Sequence, residues 1–205
     1  MNLKKNSLIV DVGSNDGTLL NEYKKLGMKV IGVEPTNMAK YAKRRGVNTI
    51  QAPFNLKIAK KIIKENRKAK LVTATNVFAH MSSLGDVMEA INKILDDNGF
   101  FIFENHYMVD ILKYNQYDTI YHEHIRNYSL KSLIYLFEMY NLKVIDCEVL
   151  ERYNGSIRVV VSKNTKIKSS LNVVKTLNKE KKFDLNTKKV WDKFRDNTKQ
   201  SKKDL

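Results

Sequence analysis

Cysteine is almost absent: Cys147 is the single one in 205 residues. That excludes a disulfide framework and any metal site built from thiolates alone. No apolar run approaches the roughly 20 residues of a membrane span. The start, Met1-Asn2-Leu3-Lys4-Lys5-Asn6, leads into no apolar signal-peptide core. A cytoplasmic chain without a membrane partner is expected. Arginine is scarce as well, 7 against 30 lysines, within a net charge of +15. Base readout and bidentate phosphate recognition favour arginine, so the lysine excess reads as a solvated surface and nucleic acid is not an expected partner. The charge is uneven: residues 163–205 hold 14 Lys+Arg against 5 Asp+Glu. Hydrophobic content of 42% with 29% charged residues is ordinary for a globular chain of one domain, or one domain with an appendage.

What is present is an alternation of strands and helices. Leu8-Ile9-Val10-Asp11-Val12 suits a buried parallel strand and breaks at Gly13-Ser14-Asn15-Asp16-Gly17. A helical pattern follows through Leu19, Leu20, Tyr23 and Leu26, stopped by Gly27. Met28 to Val33 is the second strand, a helix through Ala39, Tyr41 and Ala42 runs to Gly46, and Val47 to Ile50 is the third strand. Leu56 to Lys68 fits a helix and Leu71 to Thr75 a fourth strand. The amphipathic stretch Asp86 to Leu95, capped by Gly99, precedes a fifth strand, Phe100 to Phe103. After a helix from Lys131 to Tyr140, the candidate strands Lys143 to Val149 and Ser156 to Val161 follow with no crossover between them. They predict a terminal antiparallel hairpin on an otherwise parallel, doubly wound α/β sheet. Residues 163–205 lose apolar density, although Val190, Trp191 and Phe194 share one face of a helix from about Asn186.

The segment Asp11 to Gly17 lies between strand one and helix one. Gly13 permits close backbone approach, and a helix N-terminus offers unpaired N–H groups to an anion. Glu34, at the tip of strand two, stands where a carboxylate accepts hydrogen bonds from ribose hydroxyls. A dinucleotide loop would carry a third glycine one turn into the helix. This loop carries Asn15, Asp16 and two glycines four apart, which favours S-adenosylmethionine, a cofactor with no pyrophosphate to accommodate.

Tyr121-His122-Glu123-His124 falls in a polar stretch after strand five, near the carboxyl edge where open α/β sheets bind ligands. His80 follows strand four and His106 follows strand five, so all four histidines of the chain can approach one mouth. Each alone reads as a surface or satisfied core residue; their convergence raises them above that. Metal binding is the competing reading, but His122 and His124 alternate and a Glu-rich ligand shell is missing, so no metal is expected.

Several of these segments resemble the S-adenosylmethionine-dependent sugar C-methyltransferases, which act on nucleotide-linked 4-keto deoxysugars. Val10 to Leu20, Gly32-Val33-Glu34-Pro35 and Asn76-Val77-Phe78-Ala79-His80 carry part of the resemblance. The most specific match is Asn115 to His124, with Tyr128-Ser129-Leu130 behind it. Asn154-Gly155-Ser156-Ile157-Arg158 is similar to the family's G-G-S-L-R segment, with Asn154 in place of its first glycine. The resemblance spans about residues 8–162. It implies a Rossmann-like class I methyltransferase sheet in residues 1–162. It also implies a cofactor site drawn from Asp11, Gly13, Ser14, Asn15, Gly17, Glu34, Pro35, Asn76 and Phe78. His124 would be the base, Glu123 and Tyr121 would position the sugar or stabilise charge, and His80 would stand beside the cofactor.

The departures matter too. No cysteine cluster precedes strand one, and His106 replaces a proline usual after strand five. The resemblance therefore implies the family's central cofactor domain on its own, with the basic helical tail 163–205 as the start of a further domain. C-methylation requires removal of a proton beside the sugar's keto group and stabilisation of the enolate. An O- or N-methyltransferase, or a non-catalytic cofactor- or nucleotide-sugar-binding remnant, are the rival readings.

Overall fold

A computed structural model describes residues 3–152 and 155–204. Seven strands form one sheet: β1 (Leu8–Val12), β2 (Lys29–Val33), β3 (Thr49–Ile50), β4 (Ala69–Thr75), β5 (Leu95–His106), β6 (Lys143–Leu150) and β7 (Ser156–Ser162). Their spatial order is β3-β2-β1-β4-β5-β7-β6. The first five run parallel, and β7 lies antiparallel between β5 and β6. The expected terminal hairpin is therefore present on a mostly parallel sheet. The chain moves outward from β1 through β2 to β3, then returns to β4 on the other side. That reversal opens a crevice at the carboxyl ends of β1 and β4, the place where such sheets take ligands.

Helices α1 (Thr18–Lys25), α2 (Met38–Arg44), α3 (Leu56–Glu65) and α4 (Leu84–Ile94) make the crossovers. Every residue of β1 is buried, Asp11 included, which is why the strand reads as an apolar run interrupted only by that acid. The main core packs Phe78, Phe101, Phe103, Tyr128 and Phe137 as tilted and edge-on aromatic pairs, with Leu133 and Ile91 beside them. Helix α5 (Met108–Lys113) follows β5, and α6 (Leu130–Glu138) is opened by a capping box between Ser129 and Ser132.

Several boundaries differ from the sequence expectation. Helix α4 starts at Leu84 and ends at Ile94, and the chain enters β5 at once. Gly99 is then no helix cap. It lies inside β5 at a register shift opposite β4, where an added Cβ would stand 2.9 Å from the Ala69 carbonyl oxygen. Helix α3 stops at Glu65, leaving Ala69 and Lys70 to lengthen β4.

The largest departure lies past residue 162. Helix α7 (Leu171–Phe183) precedes α8 (Lys188–Asp204), and α7 packs against β6 and α6. Its buried side chains are Val173, Thr176 and Glu180. A face made half of polar residues does not register as an apolar stripe, so the helix was invisible to periodicity. Glu180 is held by function within the fold: its carboxylate accepts the Tyr107 hydroxyl at 2.9 Å and the backbone N–H groups of Leu130 and Lys131 at 2.5 and 3.0 Å. A side chain from α7 thus completes the N-terminus of α6. Helix α8 buries no side chain; Thr198 and Ser201 hydrogen-bond the side chain of Asn115. Among the described residues no helix is long and apolar enough to cross a membrane.

Candidate active site

The turn after β1 is shaped by backbone that most residues avoid. Gly13 has φ +70° and an added Cβ would meet Val77 Cγ1 at 2.2 Å. Asn15 and Asn76 take φ +50° and +55°, a region that asparagine tolerates better than other side chains. Gly13 and Ser14 donate their N–H groups to the Val33 carbonyl, so the turn is pinned across β2. Asp16 accepts from the backbone and hydroxyl of Thr18 and pairs with Arg45 at 2.9 Å, fixing the start of α1.

Glu34 is buried at the end of β2. One carboxylate oxygen accepts the Asn15 N–H at 3.0 Å; the other accepts the Thr36 N–H and hydroxyl at 2.9 and 2.6 Å. Two carboxylate oxygens offer about four acceptor sites, so capacity remains for a ribose hydroxyl beside those three donors. Asp11 lies deeper, accepting the Thr73 hydroxyl at 2.5 Å. Burial, with the Glu34 charge adding, pushes its carboxyl up to about 7 against the hydrogen bond from Thr73.

A cavity of about 500 Å³ opens here, bounded by Gly13, Glu34, Pro35, Val77, His80 and Asp86 among others. Its size falls within the roughly 300–1,000 Å³ of small-molecule sites. Two buried oxygens in the turns behind and beside the cavity, Ser14 Oγ against Gly32 and Asn76 Oδ1, have no hydrogen-bond partner among the described residues. The Gly13 cradle and the spare acceptor capacity of Glu34, both on the cavity wall, fit a polar ligand such as S-adenosylmethionine. Of the expected cofactor residues, Gly13, Glu34 and Pro35 bound the cavity. Ser14, Asn15 and Gly17 build the turn behind it, Asp11 lies beneath and Asn76 beside it. Phe78 does not belong to this set. It is fully buried between Phe101 and Phe103, and Val77 presents the surface that Phe78 was expected to provide. Thr36, Phe54 and Asp86 bound the cavity without having been foreseen; Asp86 sits in the first turn of α4 and carried only the ordinary signal of a helix start.

The histidine cluster adjoins this cavity through His80. The His80 ring, on a short 3₁₀ turn after β4, stands 4.8 Å from that of His124, centroid to centroid. The His106 ring, at the end of β5, stands 5.3 Å from His124. His124 Nδ1 lies 2.8 Å from the Thr119 carbonyl oxygen, and its Nε2 lies 3.2 Å from the Tyr121 hydroxyl. A carbonyl only accepts, so Nδ1 carries the proton and the Nε2 lone pair accepts the Tyr121 hydroxyl. That is the tautomer a general base needs. Tyr121 is 41% exposed, which leaves its ring room to swing aside.

Three of the four histidines therefore meet. His122 is exposed, with its ring against Tyr121 rather than His124. Glu123 is exposed and makes no hydrogen bond or ion pair with the described residues. No group of three or more His, Cys, Asp or Glu among the described residues has a geometry suited to a metal ion. A larger cleft of about 910 Å³ lies by Tyr107, Asp110, Lys113 and Lys179, and shares no lining residue with the cavity at Glu34. Gly13, Glu34 and His80 line the smaller one, so chemistry rather than volume selects it. Gly155 reaches the larger cleft and Arg158 pairs with Glu104 at 2.7 Å; Asn154 of the same segment lies outside the described residues.

Sheet order, the glycine turn and the acid at the end of β2 define a class I methyltransferase domain, whose methyl donor is S-adenosylmethionine. The chain belongs to the methyltransferase domain family, whose model matches residues 2–146. It is 39% identical over 158 residues to the C-methyltransferase NovU of Streptomyces niveus, a match covering 77% of this chain and 38% of that protein. The chain thus spans well under half the length of that relative. Among solved structures, one similar fold is a chain of the complex between the Haloferax volcanii Trm112 methyltransferase activator and its methyltransferase. That match has TM-score 0.64 and 15% identity, over 79% of this chain and 84% of that one. Another is the 1,6-didemethyltoxoflavin-N1-methyltransferase of Burkholderia thailandensis, solved with S-adenosylhomocysteine (TM-score 0.58, 15% identity, 81% and 72% covered).

Proposed function

We propose that this methyltransferase domain transfers a methyl group to carbon, on a nucleotide-linked keto-deoxysugar, after proton abstraction beside the carbonyl. The observation that carries the reading is the His124 tautomer. An imidazole with Nδ1–H spent on a carbonyl and Nε2 left as an acceptor, met by the half-exposed Tyr121 hydroxyl and one ring away from the cofactor cavity through His80, is built to take a proton. Transfer to oxygen or nitrogen needs no carbanion. The identity to a C-methyltransferase and the Tyr121–His124 segment support the choice of carbon and of sugar.

S-adenosylmethionine supplies an already activated methyl group when bound. Gly13, Glu34 and Pro35, which bound the cavity, would hold it. The chain's remaining task is to make a nucleophile and align it. His124 Nε2 takes the proton as the C–H bond breaks, and the electron pair moves onto the carbonyl oxygen. His80, between cavity and base, orients the two partners. Tyr121, hydrogen-bonded to Nε2 in the open site, moves from the base to the sugar.

The test is solvent exchange. A nucleotide-linked 4-keto deoxysugar deuterated beside its carbonyl should lose that deuterium in step with methylation. Methylation that retains every such deuterium would assign the chain to oxygen or nitrogen transfer. Cofactor binding without any turnover would favour the binding-remnant reading.

A further inference from the structure

His106 is the imidazole that the base-and-cofactor scheme leaves without a task. It ends β5, half-buried, with its ring tilted 47° to that of His124 at 5.3 Å. The groups facing it come from several elements. His124 faces it from the turn before α6, and His80 from the turn after β4. Asp118, on the short turn Tyr117–Thr119, is the carboxylate that opposes them. Glu104 lies two residues back along β5, but Arg158 of β7 pairs with it at 2.7 Å. Ser156, opposite His106 on β7, is uncharged.

Burial, then the neighbouring His124 and His80, hold the His106 imidazole below its ordinary range, with Asp118 pulling the other way. His106 is thus neutral near neutral pH. Once His124 has taken a proton, a second charge beside it costs still more. A neutral imidazole that stays neutral while its neighbour becomes cationic always presents one N–H. That is the state in which an imidazole serves as electrophile rather than acid.

Enolisation needs such a donor. Breaking the C–H bond places charge on an oxygen that lies, from bond lengths of about 1.5 and 1.2 Å, roughly 2.4 Å from the carbon. Base and donor each reach about 3 Å. Two rings 5.3 Å apart can therefore flank one carbon and its neighbouring carbonyl oxygen. We propose that His106 is a further catalytic residue, whose neutral N–H donates a hydrogen bond to the carbonyl oxygen adjacent to the carbon that His124 deprotonates. This role rests on the C-methylation reading. The proton passes from carbon to His124 Nε2, the electron pair passes to the oxygen, and His106 keeps its proton throughout.

The experiment uses the full chain and a nucleotide-linked 4-keto deoxysugar deuterated beside its carbonyl, with washout followed by NMR. His106→Ala should slow washout by roughly 10²–10³-fold, the range for loss of one oxyanion donor. His106→Gln, which keeps an N–H donor, should recover at least about tenfold of that. Binding of S-adenosylmethionine should be unchanged in both. Nitrogen-15 spectra of the unaltered chain should show His106 neutral at pH 7, a readout that survives even if the alanine variant does not fold. Wild-type washout matched by the alanine variant would remove His106 and leave the C-methylation reading standing. A cationic His106 at pH 7 would do the same. No washout from the unaltered chain, with methylation of another acceptor, would overturn both.

Discussion

The carboxylate of Glu34 accepts the backbone N–H of Asn15 at 3.0 Å, tying the end of β2 to the turn after β1 across 19 residues. The acid expected to meet a ribose therefore also holds the loop that shapes the cofactor cavity. Replacing Glu34 by Ala should weaken S-adenosylmethionine binding by roughly 1.5–3 kcal/mol, the scale of a charged hydrogen bond. It should also lower the melting temperature of the free chain, because Asn15 and Thr36 lose their acceptor. Titration calorimetry and thermal unfolding measure the two effects separately. Unchanged affinity would take Glu34 out of the cofactor site.

Gly13→Ala meets two obstacles, a left-handed backbone and Val77 Cγ1 at 2.2 Å from the new methyl group. The backbone alone costs about 1–2 kcal/mol. The double variant Gly13→Ala, Val77→Ala should recover only the steric part. Full recovery of stability in urea unfolding would mean that the backbone at this turn is not strained.

Asp11 gives stability a pH dependence of unusual sign. In the unfolded chain its carboxyl ionises near 3.9; in the folded chain it does so only at about 7. Below the first value both states are protonated and nothing is lost. Between the two values only the unfolded state ionises, so stability falls as pH rises, by at most roughly 4 kcal/mol, and levels off above about 7. Asp11→Asn should abolish that slope. Urea titrations of both proteins from pH 4.5 to 7.5 should converge toward the acid end; parallel curves would refute the buried, protonated Asp11.

His124→Asn should keep cofactor affinity and lose methyl transfer by roughly 10²–10⁴-fold, the usual contribution of a positioned base. His122→Asn should matter far less, since its ring lies on the exposed side of Tyr121. Equal losses in the two variants, measured as single-turnover rates, would mean that the pair shapes the turn rather than moving a proton.

Glu180→Ala removes the acceptor of three buried or half-buried donors, Tyr107 and the N–H groups of Leu130 and Lys131. At about 1–3 kcal/mol for each buried donor left unpaired, a loss of several kcal/mol is expected. Glu180→Gln should keep part of it. An alanine variant as stable as the wild type in denaturant would mean that α6 ends equally well in water.

The parallel half of the fold was legible because β1 and β2 are covered on both faces and so carry nearly continuous apolar runs. Glu34 and Gly13 were legible through spacing, since the distance from the first turn to the end of β2 is set by one crossover. Phe78 was misassigned because an aromatic beside a site and an aromatic in the core look alike in one dimension. Helix α7 was missed because its inward face carries Thr176 and Glu180, whose burial makes sense only beside Tyr107 and α6. The meeting of His80, His106 and His124 depends on three separate turns after β4, β5 and α5, and no local pattern encodes it.

The cap on α6 has a consequence for synthesis. Leu130 waits for a carboxylate 50 residues later, roughly 2.5–10 s at 5–20 residues per second. Until Ser162 is made β5 also lacks β7, so for the first part of that interval the nascent chain carries an open sheet edge and an unfinished helix together. Stalled chains ending before residue 180 should be cut there by protease. The half bearing the glycine turn can assemble early, while the half bearing His124 is finished only once Glu180 has been made.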